Sequence, residues 1–202
     1  MMELAHDAVL LLFCYVIGAI PTGLLVGRAL GGLDVRQHGS CNIGATNVWR
    51  VLGWKAGLLT FVTDVGKAYL ALLVAWSLHA TGPGVIVLAA VAVLLGNFFN
   101  VFLGWKGGKG VATGLGVFLF LAPVATALAL AAFAVVFAAS RIVSLSSLVA
   151  AAVLPAGVWL TGQPVDILVF TVAVSAAVIF KHRTNIQRLL TGQEHRWGKS
   201  RE

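Results

Sequence analysis

The chain alternates long apolar runs with short polar tracts, and the runs set its architecture. Crossing a bilayer takes about 20 apolar residues in a helix, and six blocks come near that length: 8–28, 56–80, 84–104, 111–139, 143–160 and 165–181. The fourth, Val111 to Ala139, would measure ~43 Å as one helix, long for one span and short for two full ones. Pro123 stands near its middle and Pro21 lies within the first block. A proline lacks the N–H that an uninterrupted helix uses, so Pro21 predicts a kink in the first helix and Pro123 a hinge.

Loop charge decides how the fourth block is read. With the acidic end around Glu3 and Asp7 outside, the loop carrying Arg36, Arg50 and Lys55 is inside. The His79–Gly84 turn is then outside, and the Lys106/Lys109 loop inside. A single span at 111–139 would send Arg141 and the basic tail (Lys181, Arg183, Arg188, Arg196, Lys199, Arg201) to the outside. Two short passes hinged near Pro123 return all of them to the inside and leave Asp166 outside. The pattern therefore predicts an all-α polytopic membrane protein of seven transmembrane helices in one domain, residues 1–202. Some helices are short or tilted, with the N-terminus out and the C-terminus in.

Composition agrees with this frame. Of 202 residues 59% are hydrophobic and 10% charged, too few polar side chains to cover a water-facing globule. The +7 charge follows from basic inner loops and gives no reason to invoke nucleic acid. Trp49, Trp54 and Trp105 are expected at the inner boundary, Trp76 and Trp159 near the outer one. The pairs Gly23/Gly27, Gly53/Gly57, Gly104/Gly108 and Gly110/Gly114 suit close helix packing. Cys14 and Cys41 match no disulfide framework or metal spacing and are expected as free thiols.

Polar residues then gather in three tracts on the inner side. The first runs from His38 to Arg50 and holds Ser40, Asn42, Asn47 and Arg50. The second is Gly104-Trp105-Lys106-Gly107-Gly108-Lys109-Gly110-Val111-Ala112-Thr113, and the third runs from Lys181 through Arg188 to Arg196. The second tract opens a helix, so backbone N–H groups, the positive helix end, Lys106 and Lys109 can together face a phosphate. It is not a Walker A loop, since Lys109 stands where that spacing needs glycine. A tight turn carrying inside-facing lysines is the plainer alternative. In the third tract His182, Asn185 and Arg188 share one helical face, for a ligand or for anionic lipid. In the first tract Ser40 or Asn42 can serve as a helix N-cap, and Ser144 can be either an N-cap or a phosphate ligand. Asp64 and Lys67 lie three apart inside a span, where they can neutralise each other as a clamp between helices.

The tracts lack an H-x-x-x-x-D motif, a G-x-S-x-G elbow, an H-E-x-x-H site and a carboxylate pair, which argues against serine-hydrolase and zinc chemistry. They offer many anion-binding donors and one general base near neutrality, His182. No metal or other cofactor is indicated.

These tracts, in this order, resemble the bacterial acyl-phosphate:glycerol-3-phosphate acyltransferases of the PlsY type. Tyr15 to Gly23 is similar to the family's first helix, Gly39 to Arg50 to its first motif, Trp105 to Thr113 to its second, and His182 to Glu194 to its third. The resemblance implies a seven-helix enzyme of the bacterial inner membrane with its active site on the cytoplasmic side. It would move an acyl group from a long-chain acyl phosphate to the first hydroxyl of glycerol-3-phosphate. The products would be lysophosphatidate and phosphate, the first step of phospholipid synthesis. By motif, Ser40, Arg50 and His182 correspond to residues needed for activity. Lys106, Gly107, Gly108, Lys109 and Gly110 correspond to the phosphate loop, Asn185 to a functional partner of His182, and Glu194 to a residue holding the tail's structure. Asn42, Ser144 and Arg188 join the expected substrate contacts, with Asp64 and Lys67 structural. The expected partners are glycerol-3-phosphate, acyl phosphate and membrane lipid.

Two departures stand out. The family usually reads Gly-Ser-Gly-Asn where this chain has Gly39-Ser40-Cys41-Asn42, and usually has a histidine at Asn97. If that glycine serves a positive φ, Cys41 is locally strained. Direct attack on an activated acyl phosphate needs no covalent acyl-enzyme, with His182 or a substrate phosphate oxygen as base. The competing readings are a transporter or channel for a phosphorylated anion and a lipid-binding structural protein. The enzyme reading requires the three tracts to meet in one pocket beneath the inner leaflet.

Overall fold

The computed structural model describes residues 2–78 and 83–198. Residues 79–82, in the turn expected outside the membrane, and the tail charges Lys199 and Arg201 lie outside the described residues. The chain forms two compact units, residues 1–120 and 121–202. Among the described residues every regular element is helical.

The first unit holds α1 (Met2–Ala19), α2 (Thr22–Gly31), α3 (Ala45–Leu52), α4 (Trp54–Leu78), α5 (Pro83–Phe98) and nearly all of α6 (Val111–Leu121). The first apolar block is thus a broken helix: α1 and α2 meet at Ile20-Pro21 with a 40° bend, at the proline the sequence marks. Gly53, at φ 86°, ends α3 and separates it from α4.

Close packing of α1 on α5 rests on two glycines. A Cβ at Gly18 would fall 2.0 Å from the Val93 carbonyl oxygen, and one at Gly96 would fall 2.1 Å from that of Tyr15. Only hydrogen lets these backbones approach so near. The expected glycine pairs fare unevenly. Gly23 and Gly27 pack against Ile43 and Val35, and Gly57 against Trp49, whereas a Cβ at Gly53 or Gly114 would meet nothing within 4 Å. Gly104 and Gly108 lie in the loop before α6, where their spacing has no helical meaning.

The second unit comprises α7 (Pro123–Ser140), α8 (Val143–Leu160), α9 (Val165–Lys181) and α10 (Arg183–Leu190). The break between α6 and α7 falls at Ala122, with Pro123 as the first residue of α7, where the sequence expected a hinge. Arg141 turns the chain from α7 to α8 at φ 59°. The tail then folds back on this turn: the Trp197 N–H donates to the Arg141 carbonyl at 2.7 Å, and the indole meets Phe137 edge-on at 6.2 Å. A bend of 58° at His182 separates α9 from α10.

Polarity is inverted relative to a water-soluble protein. Large apolar side chains such as Leu12, Leu70, Trp76, Val135, Trp159 and Phe180 face outward, while Thr60, Asp64, Asn97, Thr126, Ser146 and Thr171 are buried. The buried hydroxyls are mostly satisfied within their own helices, as Thr60 to the Ala56 carbonyl and Ser146 to that of Ile142, each at 2.9 Å. Away from water an unpaired hydroxyl is costly, which favours such internal pairing. Among the described residues four helices are long and apolar enough to cross a membrane, or up to six if each bent pair counts as one span, and the 11-residue α6 is shorter.

Candidate functional site

Each unit carries its own polar constellation. In the first, residues 34–44 wind over α2 and α3, and a cluster of Leu24, Val26, Val35, Ile43, Val48, Ala56 and Leu103 fixes them. Leu103 directly precedes the glycine-lysine loop, so the first and second tracts are packed on one apolar base.

A buried amide, Asn47, shapes the first tract from within. Its Oδ1 accepts the Ser40 N–H at 2.7 Å, and its Nδ2 faces the carbonyls of Val35 (2.9 Å), His38 (3.1 Å) and Asn42 (2.8 Å). Asn42 Oδ1 accepts the Gly44 N–H at 2.8 Å, and Gly44 is the N-cap position of α3. The alternative that Ser40 or Asn42 caps that helix is therefore corrected: both lie ahead of the cap, and Asn42 organises the turn entering it. Asp34 and Arg36 pair at 2.6 Å. Hydrogen bonds from the Arg36 side chain and N–H hold the Asp34 carboxyl down to about 2. Cys41 adopts φ 56°, the left-handed conformation that the glycine departure suggested. Ser40 is half-buried and Arg50 exposed.

The glycine-lysine loop is laid against the end of α5. Gly108 N–H donates to the Asn97 carbonyl at 3.0 Å, and a Cβ at Gly107 would overlap that oxygen at 1.9 Å. Gly110 accepts from the Gly114 N–H at 2.7 Å, which starts α6 and leaves its first N–H groups at the loop. Lys106 is exposed and Lys109 half-buried. Of the expected phosphate donors, Gly108 has its N–H committed to the scaffold.

Between the two parts of the broken helix sits an intramembrane cluster. Lys67 Nζ lies 2.7 Å from Asp64 Oδ1 and donates to the Ile20 carbonyl at 2.7 Å. The Thr22 hydroxyl donates to the same carboxylate at 2.6 Å. The cluster ties α4 to both sides of the Pro21 break.

In the second unit Glu194 is the hub. It accepts Arg188 Nε at 2.7 Å, Asn185 Nδ2 at 2.9 Å and the Ser144 hydroxyl at 3.0 Å. Burial alone would raise its carboxyl, but these three donors outweigh it and hold the group below its ordinary value. The N-cap alternative for Ser144 is corrected, because Ile142 occupies the cap position and the serine hydroxyl turns to Glu194. The shared face of α10 presents Asn185 and Arg188 to Glu194. His182, 3% exposed, has Nδ1 2.8 Å from the Val178 carbonyl. A carbonyl only accepts, so Nδ1 carries a proton.

Sequence reasoning missed the role of Asn47. In a string an amide that supports a loop reads the same as one that meets a ligand, and only burial separates them.

The family model described as glycerol-3-phosphate acyltransferase matches residues 8–192. A glycerol-3-phosphate acyltransferase of Thermosynechococcus vestitus is 49% identical over 201 residues, covering 95% of each chain. One of Trichlorobacter lovleyi is 48% identical, covering 91% of this chain and 93% of that one. Among solved structures, PlsY (YgiH), an integral membrane glycerol 3-phosphate acyltransferase, aligns in its glycerol 3-phosphate form with a TM-score of 0.90. The identity is 38%, over 96% of each chain. Its lysophosphatidic acid form aligns at 0.88.

Proposed function

The chain belongs to the glycerol-3-phosphate acyltransferase family and is a multi-pass membrane acyltransferase; from that premise we propose that its acyl donor is a long-chain acyl phosphate. The acceptor is glycerol-3-phosphate, acylated at its sn-1 hydroxyl, and the products are lysophosphatidate and inorganic phosphate. The carrying observation is the 0.90 match to a relative solved in its glycerol 3-phosphate form.

An acyl phosphate is already activated, so the protein has to align the reactants and meet the developing charge. The acceptor oxygen attacks the acyl carbon, the bond from that carbon to the phosphate oxygen breaks, and the phosphate leaves with the bonding pair. Lys106, Lys109, Arg50 and the N–H groups at the start of α6 hold the phosphates. Ser40, fixed through Asn47, orients a substrate or donates to the oxyanion. The acceptor's proton passes to His182 Nε2 or to an oxygen of a substrate phosphate. In the neutral ring, the Nδ1 contact with the Val178 carbonyl puts the lone pair on Nε2. Asn42, Ser144, Asn185 and Arg188 complete the substrate surroundings, and Glu194, Asp64 and Lys67 keep the scaffold. Residues 1–202 serve this one activity as a single catalytic domain.

The chain crosses the bacterial inner membrane seven times: α1 with α2, then α4, α5, α6, α7, α8 and α9. The N-terminus is out, the C-terminus in and the chemistry on the cytoplasmic face, an arrangement supported by the basic residues of the loops and tail. The test is purified protein in detergent or nanodiscs given palmitoyl phosphate and glycerol-3-phosphate. Lysophosphatidate and phosphate in equal amounts support the reading. Turnover with acyl-CoA instead, or none with either donor, overturns the choice of acyl phosphate. Radiolabelled acyl groups trapped on Ser40 would contradict direct transfer.

A further inference from the structure

A buried oxygen under the glycine-lysine loop lacks a hydrogen-bond donor. Asn97 is 5% exposed, yet its Oδ1 has no partner. Its main-chain carbonyl, by contrast, receives the Gly108 N–H. The amide faces the loop: a Cβ at Gly108 would stand 3.3 Å from Asn97 Oδ1 and 3.6 Å from Nδ2, so the loop lies close against the amide. Asn100 Oδ1 is also unpartnered, but that amide turns to α1, where Nδ2 donates to the Ala19 carbonyl at 2.5 Å.

A buried acceptor calls for a donor. We propose that Asn97 Oδ1 accepts the secondary hydroxyl of glycerol-3-phosphate, which makes Asn97 a specificity-determining residue for the acceptor substrate. This rests on the reading that the loop holds that substrate's phosphate. The phosphate brings only acceptor oxygens at neutral pH, and the primary hydroxyl gives up its proton in the reaction. The secondary hydroxyl is the remaining donor. It sits on the carbon next to the phosphoester carbon, so a residue lying under the phosphate loop is placed to receive it. A site built around such a bond discriminates strongly against analogues lacking the donor, because the buried oxygen is then left unpaired.

Two analogues carry the same phosphate and an attackable primary hydroxyl. 3-Hydroxypropyl phosphate has hydrogen where the secondary hydroxyl stands, and dihydroxyacetone phosphate has a carbonyl, which would set one acceptor against another. The experiment measures kcat/KM for all three acceptors with palmitoyl phosphate as donor, in the wild type and in Asn97→Leu, which is similar in size but cannot accept. The wild type is expected to favour glycerol-3-phosphate over both analogues by about 30-fold or more, and the preference to shrink to about threefold in Asn97→Leu. A wild type that uses the three acceptors alike overturns the proposal without any need for the variant. A variant that keeps the full preference overturns it as well, and assigns the oxygen to buried water. Absence of any glycerol-3-phosphate acylation by the wild type would instead refute the underlying functional reading.

Discussion

Asn47 holds Ser40 by its backbone: the buried amide oxygen accepts the Ser40 N–H at 2.7 Å while its nitrogen gathers the carbonyls of Val35, His38 and Asn42. The conformation of the first tract thus depends on a residue that need not touch substrate. Asn47→Leu leaves these groups without a partner. It is expected to cost about 2–3 kcal/mol and to lower kcat more than a hundredfold, read by thermal melting in detergent and by turnover.

Glu194 makes the second constellation pH-sensitive. Its folded-state value lies below the ordinary 4.5, so its contribution to stability is full above that value and is lost as pH falls through the lower, folded one. Melting temperature measured from pH 7 down to pH 3 should fall more steeply for the wild type than for Glu194→Gln. The variant itself should melt a few degrees lower at pH 7.

Cys41 occupies a left-handed conformation at φ 56°. A side chain there costs about 1–2 kcal/mol. Cys41→Gly removes that strain but gives the unfolded chain freedom worth about 0.4–1 kcal/mol. The balance favours glycine, so the variant is expected to melt a few degrees higher.

The Asp64–Lys67 pair joins α4 to the Ile20 carbonyl and Thr22. Removing either partner leaves an uncompensated charge in the membrane interior. Asp64→Asn or Lys67→Met should each destabilise by about 3–5 kcal/mol. The double variant should recover part of that loss, which paired melting curves would reveal.

What could be read in the sequence follows physical strength of signal. Long apolar blocks and the breaks at Pro21 and Pro123 were legible because bilayer thickness and a missing N–H act locally. The 58° bend at His182 was not, since no proline or glycine marks it. Gly104 and Gly110 imitated helix-packing pairs, while the close α1–α5 approach lay with Gly18 and Gly96, whose partners are about 80 positions away in the chain. The cations and glycines of the site were visible as residue types. The amide that holds the first tract, Asn47, and the buried, unpartnered amide oxygen of Asn97 became visible only through burial and hydrogen bonding.

The central claim of the proposed function is that Arg50, Lys109 and His182 serve one direct transfer. Lysophosphatidate and phosphate formation, followed together in Arg50→Gln, Lys109→Gln and His182→Gln, test it most directly. The account expects both products to fall in step by at least about 30-fold in Arg50→Gln and Lys109→Gln, at one phosphate per lysophosphatidate, while His182→Gln decides the base: a comparable loss assigns it to the histidine, and retained turnover assigns it to a substrate phosphate oxygen. Phosphate release that persists without lysophosphatidate, or an Arg50 or Lys109 variant with wild-type turnover, would contradict it.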